Sequence, residues 1–487
     1  MANRRLIIFT ILLIITVITL SKAQTDDQKP QELTIVWHSG DLGEYLIEMS
    51  KQYTKQTGVK INIELLPWDK WHDTIASDLA SMGSRFDLVV FDSQSMSEFA
   101  SQGHVVLLNP YLDKSEKVKF TDYDPAALSK YAEYPEGSNN LYALPLNQDA
   151  MGLVYRKDLF EDHEETKAFK TKYGYELAVP KTYEHLKDIA GFFTRPDQNL
   201  YGIALYGRRD YDAVTTAFNN VLWSFGGELW DPKTRKVEGF INSPASLAAL
   251  EYFKELFKYA PPGATDWYYD EVNNAINNGR VAMGINWYYF FSANSNPKTS
   301  NYADKMGFTP LPGGKGPDDK FRQYNSLGGQ GISISKYSKN ADQAWKFLEW
   351  FMSNGNQWKW VQGGGQTGRV DILSSPNYAS ATPYNSIFPI SMSRVKDYWH
   401  LAEYAQLLEI YQKYVNLAVT GAMSPKEALD KIAKEHQTVL DKGSDHGIFD
   451  IDSIAKSLPA DSDSMVTDKR LIDRPDVGVR ARLKIQN

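Results

Sequence analysis

The chain has 487 residues, with 53 Lys and Arg against 60 Asp and Glu, and it contains no cysteine. The formal charge of −7 argues against nucleic acid and anionic lipid as partners, because both reward a basic surface. The missing cysteine excludes disulfides, thiolate metal sites and a lipidated N-terminal cysteine. The length is sufficient for two or three domains of about 150 residues.

The N-terminus has the features of a secretory signal. Arg4 and Arg5 precede an apolar run over residues 6–20, which is shorter than the ~20 residues of a membrane span. Small residues at Ser21 and Ala23 fit a signal peptidase site, so residues 1–23 are predicted to be cleaved after Ala23. An uncleaved anchor is the alternative. Cleavage lowers Lys and Arg from 53 to 50 against 60 acids, a charge of −10. Without a lipid attachment residue, the exported chain is expected to be free in the periplasm.

Strands and helices alternate at the start of the mature chain. Apolar patterning predicts strand 33–37, helix 42–57, strand 59–65, helix 68–82 and strand 86–91. Gly58 marks the end of the first of these helices. This β-α-β-α-β order within about sixty residues predicts a doubly wound sheet.

Polar residues follow the strand at residues 86–91 directly. Four consecutive apolar residues in this strand predict burial on both faces, as in a parallel sheet covered by helices. Ligands of open α/β sheets lie beyond the carboxyl ends of the strands, which makes Asp92, Ser93 and Gln94 candidate ligand contacts. The alternative is that they cap the following helix at about residues 96–102.

Polar residues also separate or follow strands later in the chain. Two strand-like runs, 141–145 and 151–155, flank Asn147-Gln148-Asp149, where the chain could cross between two lobes. A strand over residues 281–285 leads into Asn286-Trp287-Tyr288-Tyr289. Both polar segments are therefore candidate parts of a cleft.

Helix starts are readable at three further positions. Thr182 is suited to cap a helix, and Ser243-Pro244 is an N-cap followed by proline at the first helical position. Ser424 and Glu427 form a capping-box pattern that opens the last predicted helix. Residues 441–487 are polar, with an Asp-rich and then an Arg/Lys-rich half, and are predicted to be a weakly ordered extension.

Several stretches, in this order and spacing, resemble the family 1 extracellular solute-binding proteins of ABC importers. They are Thr34-Ile35-Val36-Trp37, Phe86-Asp87-Leu88-Val89-Val90, residues 151–160, Pro180-Lys181-Thr182-Tyr183, Gly226-Gly227-Glu228, Gly279-Arg280-Val281-Ala282-Met283-Gly284, Thr309-Pro310-Leu311-Pro312-Gly313-Gly314 and Ala344-Trp345-Lys346-Phe347-Leu348. The resemblance extends over roughly residues 32–440. Each motif is weak alone, and the set is specific for the family but not for a ligand.

The resemblance implies an α/β fold with two doubly wound α/β lobes joined by a multi-segment hinge, of the periplasmic binding protein type II kind. It implies an N-terminal lobe of residues 32–145 plus 306–352. It implies a C-terminal lobe of residues 146–305 plus 353–440, with the chain returning to the first lobe near residues 306–312. The family pattern does not extend over residues 441–487.

Polar and aromatic residues cluster at the predicted strand ends, where the family places its ligand contacts. A sugar offers hydroxyls to carboxylates and amides, and it offers C–H patches to aromatic faces. The resemblance makes Trp287 or Tyr289 the expected aromatic platform, although each aromatic taken singly is more often core. The candidate ligand contacts are His38, Asp41, Trp68, Asp92, Ser93, Gln94, Asn147, Asp149, Asn286, Trp287, Tyr289, Gln366 and Arg369.

The last two candidates come from a glycine-rich loop at residues 363–369, which lacks the proline that commonly follows the glycines in the family. Backbone amides there could bind a hydroxyl or an anion, and Arg369 could hold a carboxylate bidentately. An acidic solute is thus one hypothesis. A surface ion pair of Arg369 is the other.

Catalytic motifs are missing from the sequence. It contains no phosphate-binding loop and no Gly-x-Ser-x-Gly elbow. His400 and Glu403 without a His-Glu-x-x-His pattern are poor zinc ligands and fit ordinary helix residues better. A glycosidase needs only two suitably spaced carboxylates, so this class stays open. No catalytic residue, metal or cofactor is predicted.

The leading hypothesis is a monomeric periplasmic protein that captures a sugar or oligosaccharide between two lobes and delivers it to an ABC-type permease. A secreted carbohydrate-active enzyme is the alternative from another class. A ligand-reporting partner of a membrane sensor is a third hypothesis, which differs from the first only in its partner.

Overall fold

A computed structural model describes residues 32–444 of the chain. The predicted signal peptide, its cleavage site and residues 445–487 of the predicted extension lie outside the described residues. Within the described part, the strands are β1 (Glu32–His38), β2 (Lys60–Leu66), β3 (Leu88–Asp92), β4 (Leu144–Arg156), β5 (Tyr201–Ala204), β6 (Val281–Trp287), β7 (Met306–Pro310), β8 (Gly314–Lys315), β9 (Phe321–Arg322), β10 (Asn325–Ile334) and β11 (Val395–Lys396).

Helices surround these strands. They are α1 (Asp41–Thr57), α2 (Trp68–Ala80), α3 (Ser95–Ser101), α4 (Asn109–Leu112), α5 (Pro125–Tyr131), α6 (Lys157–Glu161), α7 (His163–Tyr173), α8 (Tyr183–Phe193), α9 (Ala213–Ser224), α10 (Pro244–Leu256), α11 (Tyr269–Asn277), α12 (Tyr288–Asn294), α13 (Ala341–Phe351), α14 (Asn354–Gln362), α15 (Val370–Leu373), α16 (Pro376–Ala381), α17 (Phe388–Met392), α18 (Tyr404–Thr420) and α19 (Pro425–Ser444). In residues 32–444, no helix has both the length and the apolarity that a membrane span requires.

The first lobe is built around β1, β2 and β3. β1 pairs in parallel with both neighbours, as the β-α-β-α-β pattern predicts. Gly58 follows α1 with a φ of 77°, a left-handed conformation that glycine adopts without a Cβ penalty. All five residues of β3 are buried, and its side chains join one hydrophobic core with those of β1, α1 and α13.

β4 departs from the prediction of two strands separated by a polar break. Asn147, Gln148 and Asp149 lie inside one continuous strand and are all buried. These polar residues are tolerated there because neighbouring segments supply partners: the Asn147 side chain accepts a hydrogen bond from the Gln366 amide at 2.7 Å. The strand thus carries the chain through the middle of the sheet without a loop.

β10 runs antiparallel to β4 and lies between β4 and β3. It pairs with residues 144–150 of β4 on one side and with β3 on the other. The pairing with β4 shifts register between Gln330 and Gly331. The sheet order through this region is β2-β1-β3-β10-β4-β6-β5, so β4 and β10 connect the first lobe to the strands beyond.

The second lobe is built around β4, β5, β6 and β7. β6 and β7 pair antiparallel with residues 151–156 of β4, and β5 pairs in parallel with β6. Every residue of α9 is buried in this lobe. The predicted caps are present: Thr182 accepts from the His185 amide at 3.2 Å, and Ser243 accepts from the Ser246 amide at 3.2 Å.

Two segments lie elsewhere than the sequence-based lobe assignment has them. β7 begins at Met306 and pairs with the second-lobe half of β4, and the chain re-enters the first lobe only along β10. α14 packs on the first lobe, where Trp360 lies in the core and stacks near Tyr45 with ring centroids 6.0 Å apart. Short sequence motifs predict the strands and helices, but they do not indicate which lobe each of these elements packs on.

The last helix begins as predicted. Ser424 accepts a hydrogen bond from the Glu427 amide at 3.2 Å, and α19 follows. α19 ends at Ser444, so residues 441–444 of the predicted extension are helical.

Candidate functional site

A cavity of about 520 Å³, including its opening to solvent, lies where the two lobes meet. The residues that line it come from strand ends and helix starts of both lobes and from the crossing strand β10. They are Trp68, Asp92, Gln94, Asp149, Tyr211, Asp212, Tyr268, Tyr269, Trp287, Tyr289, Phe290, Leu327, Gly328, Gly329 and Gln330.

Asp92, the last residue of β3, is the polar centre of the first-lobe wall. Its carboxylate accepts a hydrogen bond from the Tyr211 hydroxyl of the second lobe and another from the Gln330 side-chain amide at 2.9 Å. Burial raises the pKa of Asp92 to about 6, although these two hydrogen bonds favour the ionised form. The Tyr211–Asp92 hydrogen bond therefore links the two lobes across the cleft, and burial makes the Asp92 carboxylate costly to ionise.

Two further carboxylates line the cavity. Asp149 accepts weak hydrogen bonds from the Tyr289 amide at 3.3 and 3.4 Å, and burial raises its pKa well above the ordinary value. Asp212 accepts from the Tyr268 hydroxyl at 2.8 Å, and burial raises its pKa to about 7. The charge of Asp92 raises the pKa of Asp149 and of Asp212 further, so the three acids interact electrostatically.

Aromatic rings form much of the remaining wall. Trp68 at the start of α2 lies 6.0 Å from Tyr211 and 6.4 Å from Tyr269, measured between ring centroids, so it touches the second lobe. Trp287 is partly exposed at the end of β6. The backbone of Gly328 lies against its ring, since a Cβ built on this glycine would be 2.7 Å from Cζ3 of Trp287.

The structure brings six of the thirteen predicted contacts together in this cavity. They are Trp68, Asp92, Gln94, Asp149, Trp287 and Tyr289. The hydroxyl of Tyr289 also reaches the first lobe, where it accepts a hydrogen bond from the Leu42 amide at 3.4 Å. The alternative role for residues 92–94, capping the next helix, is not seen, because α3 has no side-chain cap bond.

Four of the other predicted contacts lie beside the cavity without lining it. The His38 ring is buried and stacks on Trp68, with centroids 4.0 Å apart. Burial lowers its pKa to about 4. Asp41 is exposed in the first turn of α1. Ser93 donates to Asp397 at 2.9 Å, and the buried Asn286 donates to Asn273 at 2.8 Å.

The remaining three hold the structure together away from the cavity. Asn147 and Gln366 bond to each other, side chain to backbone, and Gln366 also donates to Asn385 at 3.2 Å. The buried Arg369 pairs with Asp371 at 2.8 Å and with Asp122 at 3.3 Å. Its cation is therefore neutralised within the protein, which removes the basis for an acidic solute.

Sequence reasoning missed Tyr211, Asp212, Tyr268, Tyr269 and Gln330. The first four lie at or just before the start of a helix and carry no strand-end pattern. A usable signal was the pairing of aromatic and acidic residues in 210–212 and 267–270. Gln330 gave no signal of its own, because β10 reaches the cavity only through pairing with distant strands.

Across residues 32–444, His, Asp and Glu side chains form no cluster of three or more that could hold a metal ion. His400 bonds to Asp397 at 2.9 Å in an irregular segment before α18, not within a helix as predicted. Burial opposes ionisation of Asp397, but the hydrogen bond and charge of His400 hold its pKa below the ordinary value.

Similar proteins share both the sequence pattern and the fold. The family model described as "Bacterial extracellular solute-binding protein" matches residues 38–358. A putative binding protein of Brucella abortus is 25% identical over 351 residues, which are 71% of this chain and 77% of that protein.

Solved structures agree with the two-lobe arrangement. An ABC transporter solute-binding protein from Agrobacterium radiobacter K84 in complex with ribitol superposes with a TM-score of 0.74 at 24% identity, over 84% of this chain and 100% of that one. Maltose-bound T. maritima MalE3 gives a TM-score of 0.72 at 24% identity, over 84% and 99%. The fold is thus two α/β lobes joined by several chain crossings, and this chain belongs to the bacterial extracellular solute-binding protein family.

Proposed function

We propose that this protein captures a carbohydrate, either a sugar or a polyol, between its two lobes and delivers it to the permease of an ABC-type importer. The observation that carries the proposal is the cavity between the lobes, whose walls combine carboxylates and amides with aromatic rings. These groups match the hydroxyls and the C–H faces of a carbohydrate. Family membership and similar proteins that hold ribitol or maltose support this ligand class.

The proposed ligand contacts come from both lobes. Trp68, Asp92 and Gln94 stand on the first lobe, and Tyr211, Asp212, Trp287 and Tyr289 stand on the second. A solute that touches both sets favours the closed arrangement of the lobes over an open one. We do not include His38, Asp41, Ser93, Asn147, Asn286, Gln366 or Arg369 in the contact set.

The lobes are proposed to move about β4 and β10. Residues 32–145 with 331–362 form the first moving body in this proposal, and residues 151–324 with α18 form the second. The pairing of β7 with β4 and the packing of Trp360 on the first-lobe core support these revised limits. The crossings then lie at residues 146–150 of β4 and 325–330 of β10.

Export and monomeric binding without catalysis complete the proposal. We infer a periplasmic location after cleavage at Ala23, because the family is extracellular and residues 1–23 read as a secretory signal. Raised pKa values on neighbouring carboxylates are also what a glycosidase requires, so turnover needs a direct test.

The test is a panel of sugars, oligosaccharides and polyols incubated with the mature protein. The proposal expects stoichiometric thermal stabilisation by at least one member, with the carbohydrate recovered unchanged. Asp92→Ala with the same member should lose the stabilisation, whereas a matched change of the exposed Asp304 to Ala should keep it. Formation of a hydrolysed product would establish the enzyme hypothesis instead.

A further inference from the structure

The charged residue types that line the cavity are all acidic. The cavity is lined by three carboxylates, Asp92, Asp149 and Asp212, and within residues 32–444 no Lys, Arg or His side chain lines it. The nearby Arg208 is engaged elsewhere, since it pairs with Glu271 at 2.6 Å. Burying carboxylates is costly without a cation against them, and His72, whose charge acts on Asp92, lies outside the cavity wall and bonds to Glu98 at 3.1 Å.

The cavity also contains a buried acceptor that lacks a donor. Gln330 is 5% exposed and donates through its side-chain nitrogen to Asp92. Its side-chain oxygen is buried with no hydrogen-bond partner in the described residues. An unmade hydrogen bond of this kind costs about 1–3 kcal/mol, which a ligand N–H or O–H would recover. This acceptor is independent of the three acids and points to a hydrogen-bond donor beside Asp92.

Aromatic faces complete a cage around these acceptors. Trp68, Tyr211, Tyr268, Tyr269 and Trp287 line the same cavity. The negative face of an aromatic ring attracts a cation, and several rings with a carboxylate form the usual recognition site for ammonium groups. A neutral sugar would use the ring faces but would leave the charge of the carboxylates unbalanced.

We propose that the captured solute carries a positively charged nitrogen, as in an amino sugar or an amino polyol, held by Asp92, Asp149 and Asp212 inside the aromatic walls. The inference rests on the proposed carbohydrate-binding function and narrows its ligand class. The raised pKa values of the three acids agree with it, because a bound cation would restore the ionised forms that burial opposes.

The test compares charged and neutral carbohydrates of one shape by titration calorimetry. Glucosamine is matched with glucose and N-acetylglucosamine, and 1-amino-1-deoxyglucitol is matched with glucitol. At neutral pH, the amine of at least one pair should bind about tenfold more tightly than its neutral counterpart, a difference of ~1.4 kcal/mol. Asp212→Asn should reduce this preference, and Asp304→Asn on the exposed surface should leave the preference unchanged.

The pH dependence provides a second readout. The 1-amino-1-deoxyglucitol amine stays protonated between pH 5 and pH 7.5, so its affinity should rise over this range as the carboxylates ionise. Asp92 also faces Tyr211, Gln330, the charge of His72 and the charge of Asp397, and Asp212 faces Tyr268 and the charge of Asp210. Burial opposes the charge of His72, but its hydrogen bond to Glu98 and the charge of Glu98 raise its pKa above the ordinary value. The Asp212→Asn variant keeps His72 and is therefore the comparison that isolates the acid.

The outcomes separate the inference from the proposed function. Neutral sugars or polyols that bind as tightly as their amines would overturn the inference and leave the carbohydrate-binding function standing. Choline, tested alongside, is a cation with a single hydroxyl. Binding of choline without any carbohydrate would overturn the proposed function but keep the charge preference. Binding of no compound in either class would contradict both.

Discussion

At the residue scale, substitution of Trp287 distinguishes two roles for this side chain, a binding platform and a core residue. Trp287 is partly exposed, lines the cavity and lies in close contact with Gly328. Trp287→Ala should weaken ligand binding by roughly 1–3 kcal/mol, the scale of ring stacking on an aromatic side chain. Affinity measured by calorimetry and unfolding measured on the same variant give the two numbers needed.

The matched control for this prediction is Trp360, which is fully buried in the first-lobe core. Trp360→Ala should cost ~3–5 kcal/mol of stability, as large-to-small core changes do. A Trp287→Ala variant that behaves like Trp360→Ala in unfolding, with unaltered affinity, would refute the platform role and transfer it to Tyr289.

The residues of the site could be predicted from the sequence only where they lie at the ends of strands. Asp92 and Trp287 follow or close buried strands, and this pattern located them in the cavity. Arg369 carries equally suggestive chemistry, but it pairs with Asp371 nearby in the chain and with Asp122, which is far away in sequence. Whether a polar group faces a ligand or a distant side chain depends on tertiary pairing, which local pattern does not encode.

At the scale of elements, Gly329 in the crossing strand β10 is a glycine that cannot be replaced by another residue without strain. Gly329 has a φ of +91°, and a Cβ there would overlap the Asn147 carbonyl oxygen. Gly329→Ala should destabilise the protein by roughly 1–3 kcal/mol, the cost of a residue held in a sparsely populated conformation. Chemical denaturation measures this loss directly.

Gly355 in α14 is the matched control. A Cβ at this position meets no atom within 4 Å, and the residue lies in a helix, where alanine is favoured over glycine by about 1 kcal/mol. Gly355→Ala should therefore be neutral or stabilising. Equal unfolding midpoints for the two variants would contradict the constraint placed on Gly329.

Most elements were predictable because their signals are local. Helix caps at Thr182 and Ser243 and the end of α1 at Gly58 depend on neighbouring residues alone. The polar break predicted in β4 is wrong for a physical reason: buried Asn147 and Gln148 find partners on segments more than 200 residues away. Local composition cannot reveal those partners.

At the scale of the whole molecule, the buried acids should make stability depend on pH. The folded-state pKa of Asp212 is about 7 against 3.8 ordinarily, so the folded state binds more protons than the unfolded state between these values. Its contribution to stability is therefore lost as pH rises through this window. Asp212→Asn should gain about 2 kcal/mol in unfolding free energy over wild type between pH 5 and pH 8.

This comparison is measured on the ligand-free protein by denaturant unfolding at both pH values. Burial lowers the pKa values of His38 and His436 to about 4, so the contribution of these two histidines to stability rises over pH 4–6.5. Both histidines are present in wild type and variant, so their effect cancels in the difference. A constant difference across the pH range would contradict the burial of an acid at Asp212.

Capture of a solute between two lobes is the central claim, and small-angle scattering tests it most directly. The cross-cleft bonds from Tyr211 to Asp92 and from Leu42 to Tyr289 describe a closed arrangement. The panel member that stabilises the protein most is added to saturation, which calorimetry verifies. We expect the radius of gyration to fall from its ligand-free value as the lobes close. A saturated protein with an unchanged radius would contradict the account.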